Sequence, residues 1–197
     1  MTTQNKLSRD DLYSLEQYNE MRNEYRQKVM AHKKNRRVAI GDNASLLFED
    51  RLTMQYQIQE MLRAEKIFDA EGIQEELDAY NPLIPTGSNW KATLMLEYSD
   101  PDERATALGK LLGIDKKTWV QVEGFDKVYP VSNEDLERET EDKTSSVHFM
   151  RFELSDEMSS AVKAGAAINM GIEHENYHYA LEPVAENVRK SLAGDLS

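Results

Sequence analysis

Six polar side chains crowd a short stretch around one predicted helix, and they are the residues best placed to do chemistry. Each residue advances about 100° around an α-helix, so Met54, Ile58 and Leu62 fall on one apolar stripe that packs on a core. The helix and its entrance also carry carboxylates, guanidinium groups and amides, namely Glu49, Arg51, Gln55, Gln59, Glu60 and Arg63. A carboxylate beside a guanidinium group can act as acid or base on an anionic ligand.

These polar groups allow two interpretations, because a buried polar group must be paired internally or bound by a ligand. Bulky residues interrupt the polar side of the helix, which predicts contacts on more than one face and a central position in the fold. Glu60 and Arg63 are predicted to form a structural ion pair. Glu49, Arg51 and Gln55 are predicted to face a pocket, since the unpaired N–H groups of a first helical turn attract anions.

The sequence also contains the zinc-protease motif HExxH at His174, Glu175 and His178. In such enzymes two histidines one helical turn apart bind zinc, and the glutamate acts as the base. Here strand-like alternation on both sides of the motif predicts a β-hairpin, which would splay the two histidines along a strand. Leu181 and Val184 replace the glycine and third histidine of the longer zincin motif. We therefore predict no metal site and keep a zinc metalloprotease only as a third alternative.

Four blocks of the sequence carry a family resemblance. They are FEDR at 48–51, QIQEMLRAE at 57–65, YNPLIP at 80–85 and ATLMLE at 92–97. In combination they resemble the bacterial family catalogued as domain of unknown function 3501, with similarity from about Leu15 to Leu196. The family has no assigned activity. Its genes often lie beside those of rubrerythrin-like and iron–sulfur oxidoreductase proteins, which implies a redox or peroxide-stress context and a redox-protein partner. In that family the segment containing HExxH resembles a His-x-x-Tyr strand-and-turn element.

Charge and composition exclude several classes of function. The net charge of −12 disfavours nucleic acid and anionic membrane as partners, although the first 40 residues hold nine lysines and arginines against five acids. No apolar run approaches the ~18 residues of a membrane span, and the N-terminus lacks the apolar region of a signal peptide. We therefore expect a cytoplasmic protein that binds neither membrane nor nucleic acid. The absence of cysteine excludes thiolate nucleophiles and cysteine-ligated clusters.

The pattern of elements predicts an α+β fold with a mainly antiparallel sheet built from hairpins. Short apolar runs around Gly41–Asn43, Gly124 and 173–176 predict three hairpins. Strands and helices do not alternate strictly, so a doubly wound parallel sheet is not expected. Residues 1–36 are predicted to form a long N-terminal helix capped by Asp10 or Asp11, and residues 37–197 a single domain. The apolar stripe of that helix predicts packing on another subunit or across the domain, and hence a homo-oligomer.

Two hypotheses about function remain beside the zincin. The first is a non-catalytic accessory protein whose central helix receives a small polar ligand or a segment of a partner. The second is an enzyme in which Glu60 or Glu49 acts as acid or base, while Arg63 or Arg51 fixes an anionic substrate group. The sequence identifies no cofactor.

Overall fold

The computed structural model describes residues 5–197 as six α-helices and eight strands. The helices are α1 (Leu15–Lys33), α2 (Arg51–Ala64), α3 (Ala70–Tyr80), α4 (Pro101–Lys110), α5 (Asp156–Lys163) and α6 (Glu186–Ala193). The strands are β1 (Arg37–Ile40), β2 (Ala44–Glu49), β3 (Asn89–Leu96), β4 (Thr118–Val122), β5 (Val131–Ser132), β6 (Val147–Glu153), β7 (Ile168–His174) and β8 (Tyr177–Leu181). Short 3-10 helices occur at Arg9–Asp11, Asn81–Leu83 and Ile114–Lys117.

The chain divides into two compact units. The first contains the residues up to Asn35 together with Glu49–Thr86, and the second contains Arg36–Phe48 and Gly87–Ser197. This division differs from the predicted one at residue 36, because α1 shares a unit with α2 and α3 instead of standing apart. The first four residues of the predicted N-terminal segment 1–36 lie outside the described residues.

In the first unit, α1 begins later than the sequence suggests. Its cap is Ser14, whose side chain accepts a hydrogen bond from the Gln17 N–H, whereas Asp11 closes the preceding 3-10 turn. The buried face of α1 contains Tyr18, Tyr25 and Val29, which form an apolar cluster with Tyr56 of α2. The stripe that predicts an intermolecular contact therefore packs within the chain.

The second and third helices share another apolar cluster of the same unit. Asp50 caps α2 and accepts a hydrogen bond from the Thr53 N–H. The predicted stripe residues Met54, Ile58 and Leu62 are buried against Leu77 and the residues around it. Helical periodicity in the sequence thus identifies correctly the side of α2 that packs.

The second unit contains two antiparallel sheets, which confirms the α+β fold class. One sheet has the order β1-β2-β3-β6-β5 and the other the order β4-β7-β8. The predicted hairpins β1–β2 and β7–β8 are present. The hairpin predicted around Gly124 is present only as an antiparallel bridge between Val120 and Val128, because Val131 pairs with β6 of the other sheet.

A buried ion pair fastens the last helix of the second unit to its first hairpin. The Arg36 Nη2 atom lies 2.6 Å from the Asp195 carboxylate. The Arg36 Nε–H donates to the Phe48 carbonyl at 2.7 Å, and its Nη1 contacts the Ser191 Oγ at 3.2 Å. Arg36 is only 1% exposed, so it is a core residue, although it stands in a basic stretch of the sequence.

Candidate functional site

The amide of Gln59 binds the backbone of the residues that precede α1. The Tyr13 N–H donates to Gln59 Oε1 at 2.7 Å, and Gln59 Nε2 donates to the Tyr13 carbonyl at 3.3 Å. Gln59 is fully buried, so both contacts form away from solvent. We call residues 5–14 the N-terminal segment. Sequence reasoning assigned the Gln59 side chain to a ligand, but in the structure it binds the N-terminal segment of the same chain.

Asn81 repeats this arrangement six residues earlier in the N-terminal segment. The Leu7 N–H donates to Asn81 Oδ1 at 2.8 Å, and Asn81 Nδ2 donates to the Leu7 carbonyl at 2.9 Å. Asn81 begins the 3-10 turn that follows α3. Sequence reasoning did not select it, although it lies in the block YNPLIP, because an asparagine beside a proline is ordinary turn chemistry. We call the surface formed by α2 and this turn the amide face.

The side chain of Leu7, the residue whose backbone Asn81 binds, packs into an apolar cluster. Leu7 is 4% exposed. It packs in the same cluster as Ile58, Leu77 and Ile84, and Leu12 lies half-buried against that cluster. Burying a leucine stabilises a contact by about 1.5–3 kcal/mol, so Leu7 is the main apolar anchor of the N-terminal segment.

At the entrance of α2, Arg51 and Gln55 both contact Asp11 of the N-terminal segment. Arg51 Nη2 lies 2.8 Å from the Asp11 carboxylate, and Gln55 Nε2 donates to the Asp11 carbonyl at 2.8 Å. A hydrogen bond from the Ser8 N–H and the contact with Arg51 lower the pKa of Asp11. A carboxylate of the chain therefore occupies the position predicted for an anionic ligand.

Glu49 lies behind this contact. It is 7% exposed, and its carboxylate accepts a hydrogen bond from Thr53 Oγ1 at 2.6 Å. Asp50 also accepts a hydrogen bond from the Thr53 N–H, so both Glu49 and Asp50 contact Thr53 in the first turn of α2. The structure does not bring Glu49 together with Arg51 and Gln55 on one open concavity.

Glu60 is paired, but its partner is Arg22 of α1 and not Arg63. Arg22 Nε and Nη2 reach the two carboxylate oxygens of Glu60 at 2.9 and 3.3 Å, and the Tyr18 hydroxyl donates to Oε1 at 3.1 Å. Burial acts to raise the pKa of Glu60, but hydrogen bonds from Arg22 and Tyr18 outweigh it, so this pKa is lowered. Arg63 is exposed, and among residues 5–197 it forms no ion pair. The helix spacing of Glu60 and Arg63 permits a pair, but the packing of α1 offers a closer cation.

Comparison with known proteins identifies the family. The model of the family described as "Protein of unknown function (DUF3501)" matches residues 6–196. The chain belongs to this family. This chain is also similar to a novel protein of unknown function from Burkholderia pseudomallei K96243, whose crystal structure has been solved. The TM-score is 0.93 at 50% sequence identity, over 98% of this chain and 100% of that one. No curated protein matches the chain.

In this DUF3501 chain the HExxH residues lie at the tip of the β7–β8 hairpin, as the alternation predicts. His174 Nδ1 accepts the Asn176 N–H at 3.1 Å, so its Nε2 carries the proton and donates to the Leu112 carbonyl at 2.8 Å. Both ring nitrogens of His174 are therefore used. His178 is exposed on the opposite face of the hairpin, across from Glu173. The three residues line or border an open concavity of about 570 Å³ that also includes Lys116.

Within residues 5–197, no group of three or more histidines, cysteines and acids is arranged to hold a metal ion. Over the same described range, none of the helices is both long and apolar enough to cross a membrane.

Proposed function

We propose that this protein is a non-catalytic accessory protein that binds a segment of a partner protein on the amide face. In the isolated chain, the N-terminal segment occupies this face. The observation that carries the proposal is the pair of amides: Gln59 and Asn81 each bind both the N–H and the C=O of one backbone residue.

Such paired contacts recognise a peptide backbone and not a particular side chain. Peptide-binding surfaces commonly obtain affinity from backbone hydrogen bonds and specificity from pockets for individual side chains. The amide face has both parts, because the Leu7 side chain packs into an apolar cluster while Asn81 binds the Leu7 backbone. A surface that binds backbone at two points can accept a segment from another chain with the same contacts.

The acid–base alternative receives less support from the geometry. Glu60 is held by Arg22 and Tyr18, and Arg51 is held by Asp11. The lowered pKa of Glu60 keeps it ionised at neutral pH, whereas an effective general acid or base has a pKa near the working pH. These ion pairs therefore connect α2 to α1 and to the N-terminal segment.

We also propose a cytoplasmic location, and a redox or peroxide-stress setting that the family resemblance implies. The resemblance implies that genes of the family often lie beside those of rubrerythrin-like and iron–sulfur oxidoreductase proteins, and we propose these proteins as partners. Since the chain contains no cysteine, a thiolate-ligated cluster would belong to the partner. The accessory protein would contribute recognition.

The proposal is tested by releasing the N-terminal segment in the full-length chain. A segment tethered beside its site competes at an effective concentration in the millimolar range, so micromolar peptide should not displace it from the natural chain. In the variant Leu7→Asp the anchor is lost, and a fluorescent peptide of residues 5–14 should bind the vacated face. Fluorescence anisotropy measures this binding.

Two further variants make the result decisive. Adding Gln59→Ala and Asn81→Ala to the released chain should abolish binding, because four backbone hydrogen bonds are lost. Circular dichroism checks that each variant is folded, and Leu7→Ala replaces Leu7→Asp if the latter unfolds. A folded, released chain that leaves the peptide free at millimolar concentration contradicts the proposal.

A further inference from the structure

We infer that the amide face selects an acidic capped turn, a partner segment of the form Leu-Ser-x-x-Asp-Leu. This inference rests on the proposed function and specifies the chemistry of its ligand. It follows from the contacts of three positions in the N-terminal segment, namely Leu7, Asp11 and Leu12.

The leucine positions are set by apolar packing. Leu7 is nearly fully buried beside Leu77 and Ile84, whereas Leu12 is half-buried at the edge of the same cluster. The first leucine should therefore be required, and the second should tolerate other apolar residues.

The acid position is set by a turn within the ligand itself. Between Leu7 and Leu12 the segment forms a one-turn 3-10 helix, Arg9–Asp11. The Ser8 N–H and Oγ both donate to Asp11 Oδ2, at 2.7 and 3.0 Å. This capping box fixes the carboxylate four residues after the leucine. A ligand preorganised in this way loses less conformational entropy when it binds.

Arg51 is the residue that recognises the acidic side chain at position 11. Its Nη2 atom lies 2.8 Å from the Asp11 carboxylate, and Gln55 Nε2 donates to the Asp11 carbonyl. The chain carries a net charge of −12, so its long-range field repels an acidic segment and attracts a basic one. A preference for the acid therefore has to come from the local contact with Arg51, which makes charge reversal a sharp test.

The test is a charge-swap cycle on the released full-length chain, Leu7→Asp, with synthetic peptides of residues 5–14. The peptide change Asp11→Lys should weaken binding about threefold to tenfold, the range of an exposed ion pair that becomes a repulsion. The receptor change Arg51→Glu should weaken binding of the natural peptide by a similar factor. Combining the two changes should recover at least half of the loss.

The leucine is tested with the same assay. The peptide change Leu7→Ala should weaken binding roughly thirtyfold or more, whereas Lys6→Ala, at an exposed position, should leave the dissociation constant unchanged. Circular dichroism of each receptor variant shows that it is folded.

The outcomes separate this inference from the proposed function. Recovery in the charge-swap pair supports the acidic turn. If the natural peptide binds but the losses of affinity from Asp11→Lys and Arg51→Glu simply add when the two changes are combined, the selection of an acid is overturned. The amide face then remains a general site for peptide backbone. If the natural peptide does not bind a folded, released chain, both proposals are overturned.

Discussion

At the scale of single residues, the same residue type has different energetic roles in adjacent positions. Arg36 is buried and bound to Asp195, while Arg37 is half-exposed and paired with Glu97 on the surface. Removing one member of a buried ion pair leaves a charge without compensation, whereas a surface pair competes with water and salt. The two arginines provide a matched comparison.

We expect Arg36→Ala to lower the free energy of unfolding by about 3–5 kcal/mol, and Arg37→Ala to change it by less than about 1 kcal/mol. Urea denaturation followed by circular dichroism measures both. Equal effects of the two substitutions would contradict the structural role assigned to Arg36.

The second residue-scale prediction concerns Glu60. Glu60→Gln should cost about 1–3 kcal/mol, since charged and hydroxyl donors lose a carboxylate acceptor. A double-mutant cycle should show coupling of Glu60 with Arg22, whereas Arg63→Gln should change stability by less than about 0.5 kcal/mol. Because the folded-state pKa of Glu60 is lowered, its contribution is present above the ordinary carboxyl pKa. It is lost as the pH falls through the folded-state value. Coupling to Arg63 instead of Arg22 would refute this assignment.

At the scale of elements, the sequence predicts features that depend on neighbouring residues. It does not predict contacts between residues that are far apart in the chain. The stripe of α2 follows from local periodicity. The partner of Gln59 is Tyr13, 46 residues away, and the partner of Asn81 is Leu7, 74 residues away. The hairpin predicted around Gly124 is reduced to the single bridge between Val120 and Val128 for the same reason, because Val131 pairs with the distant residue Arg151 of β6. Sequence reasoning therefore selected the polar side chains of α2, but it could not identify the distant backbone groups that Gln55 and Gln59 contact.

One polar network fixes both ends of the acidic stretch between β5 and β6. His148 of β6 is fully buried, and its Nδ1 lies 2.9 Å from Asn133 Nδ2. Its Nε2 lies 2.9 Å from Thr144 Oγ1 and 3.0 Å from the Ser145 carbonyl. Since Nδ1 accepts from the amide, His148 is neutral, and burial lowers its pKa despite the nearby Asp115 carboxylate. Protonation would place two donors face to face.

This network predicts loss of stability in mild acid. The folded-state pKa of His148 lies below the unfolded value, so its contribution is present above about pH 6.5 and lost as the pH falls through the folded-state value. One such group changes the free energy of unfolding by at most about 1.4 kcal/mol per pH unit. Denaturation at several pH values should show a shallower slope in His148→Gln, with His178→Gln, at an exposed site, as the control. An unchanged slope in His148→Gln would remove this residue from the pH response.

The geometry of the hairpin tip leads to a prediction about zinc. Because His174 uses both ring nitrogens in contacts with the backbone, we expect protein purified without added metal to hold far less than one zinc per chain. Elemental analysis by mass spectrometry measures it, with His178→Ala as the comparison. Stoichiometric zinc that disappears in His178→Ala would establish the zincin alternative.

At the scale of the whole molecule, the structure changes the physical reason for expecting a homo-oligomer. The apolar face of α1 packs on α2, so α1 no longer requires a second subunit. The N-terminal segment is different, because non-helical backbone at Leu12 and at Ser14 separates it from α1. A second copy offers the same amide face, and exchange of an identical element preserves every contact.

We therefore predict that this protein forms dimers by exchanging N-terminal segments. Refolding the full-length chain at high concentration should raise the dimer fraction, because trans binding of the segment then competes with its cis binding. Size-exclusion chromatography with light scattering measures this fraction. Leu7→Asp should remove the dimer, since it removes the anchor, whereas Lys6→Ala on the exposed side of the same segment should preserve it. A dimer that survives Leu7→Asp would require a different contact surface, and a monomer at every refolding concentration would rule out exchange.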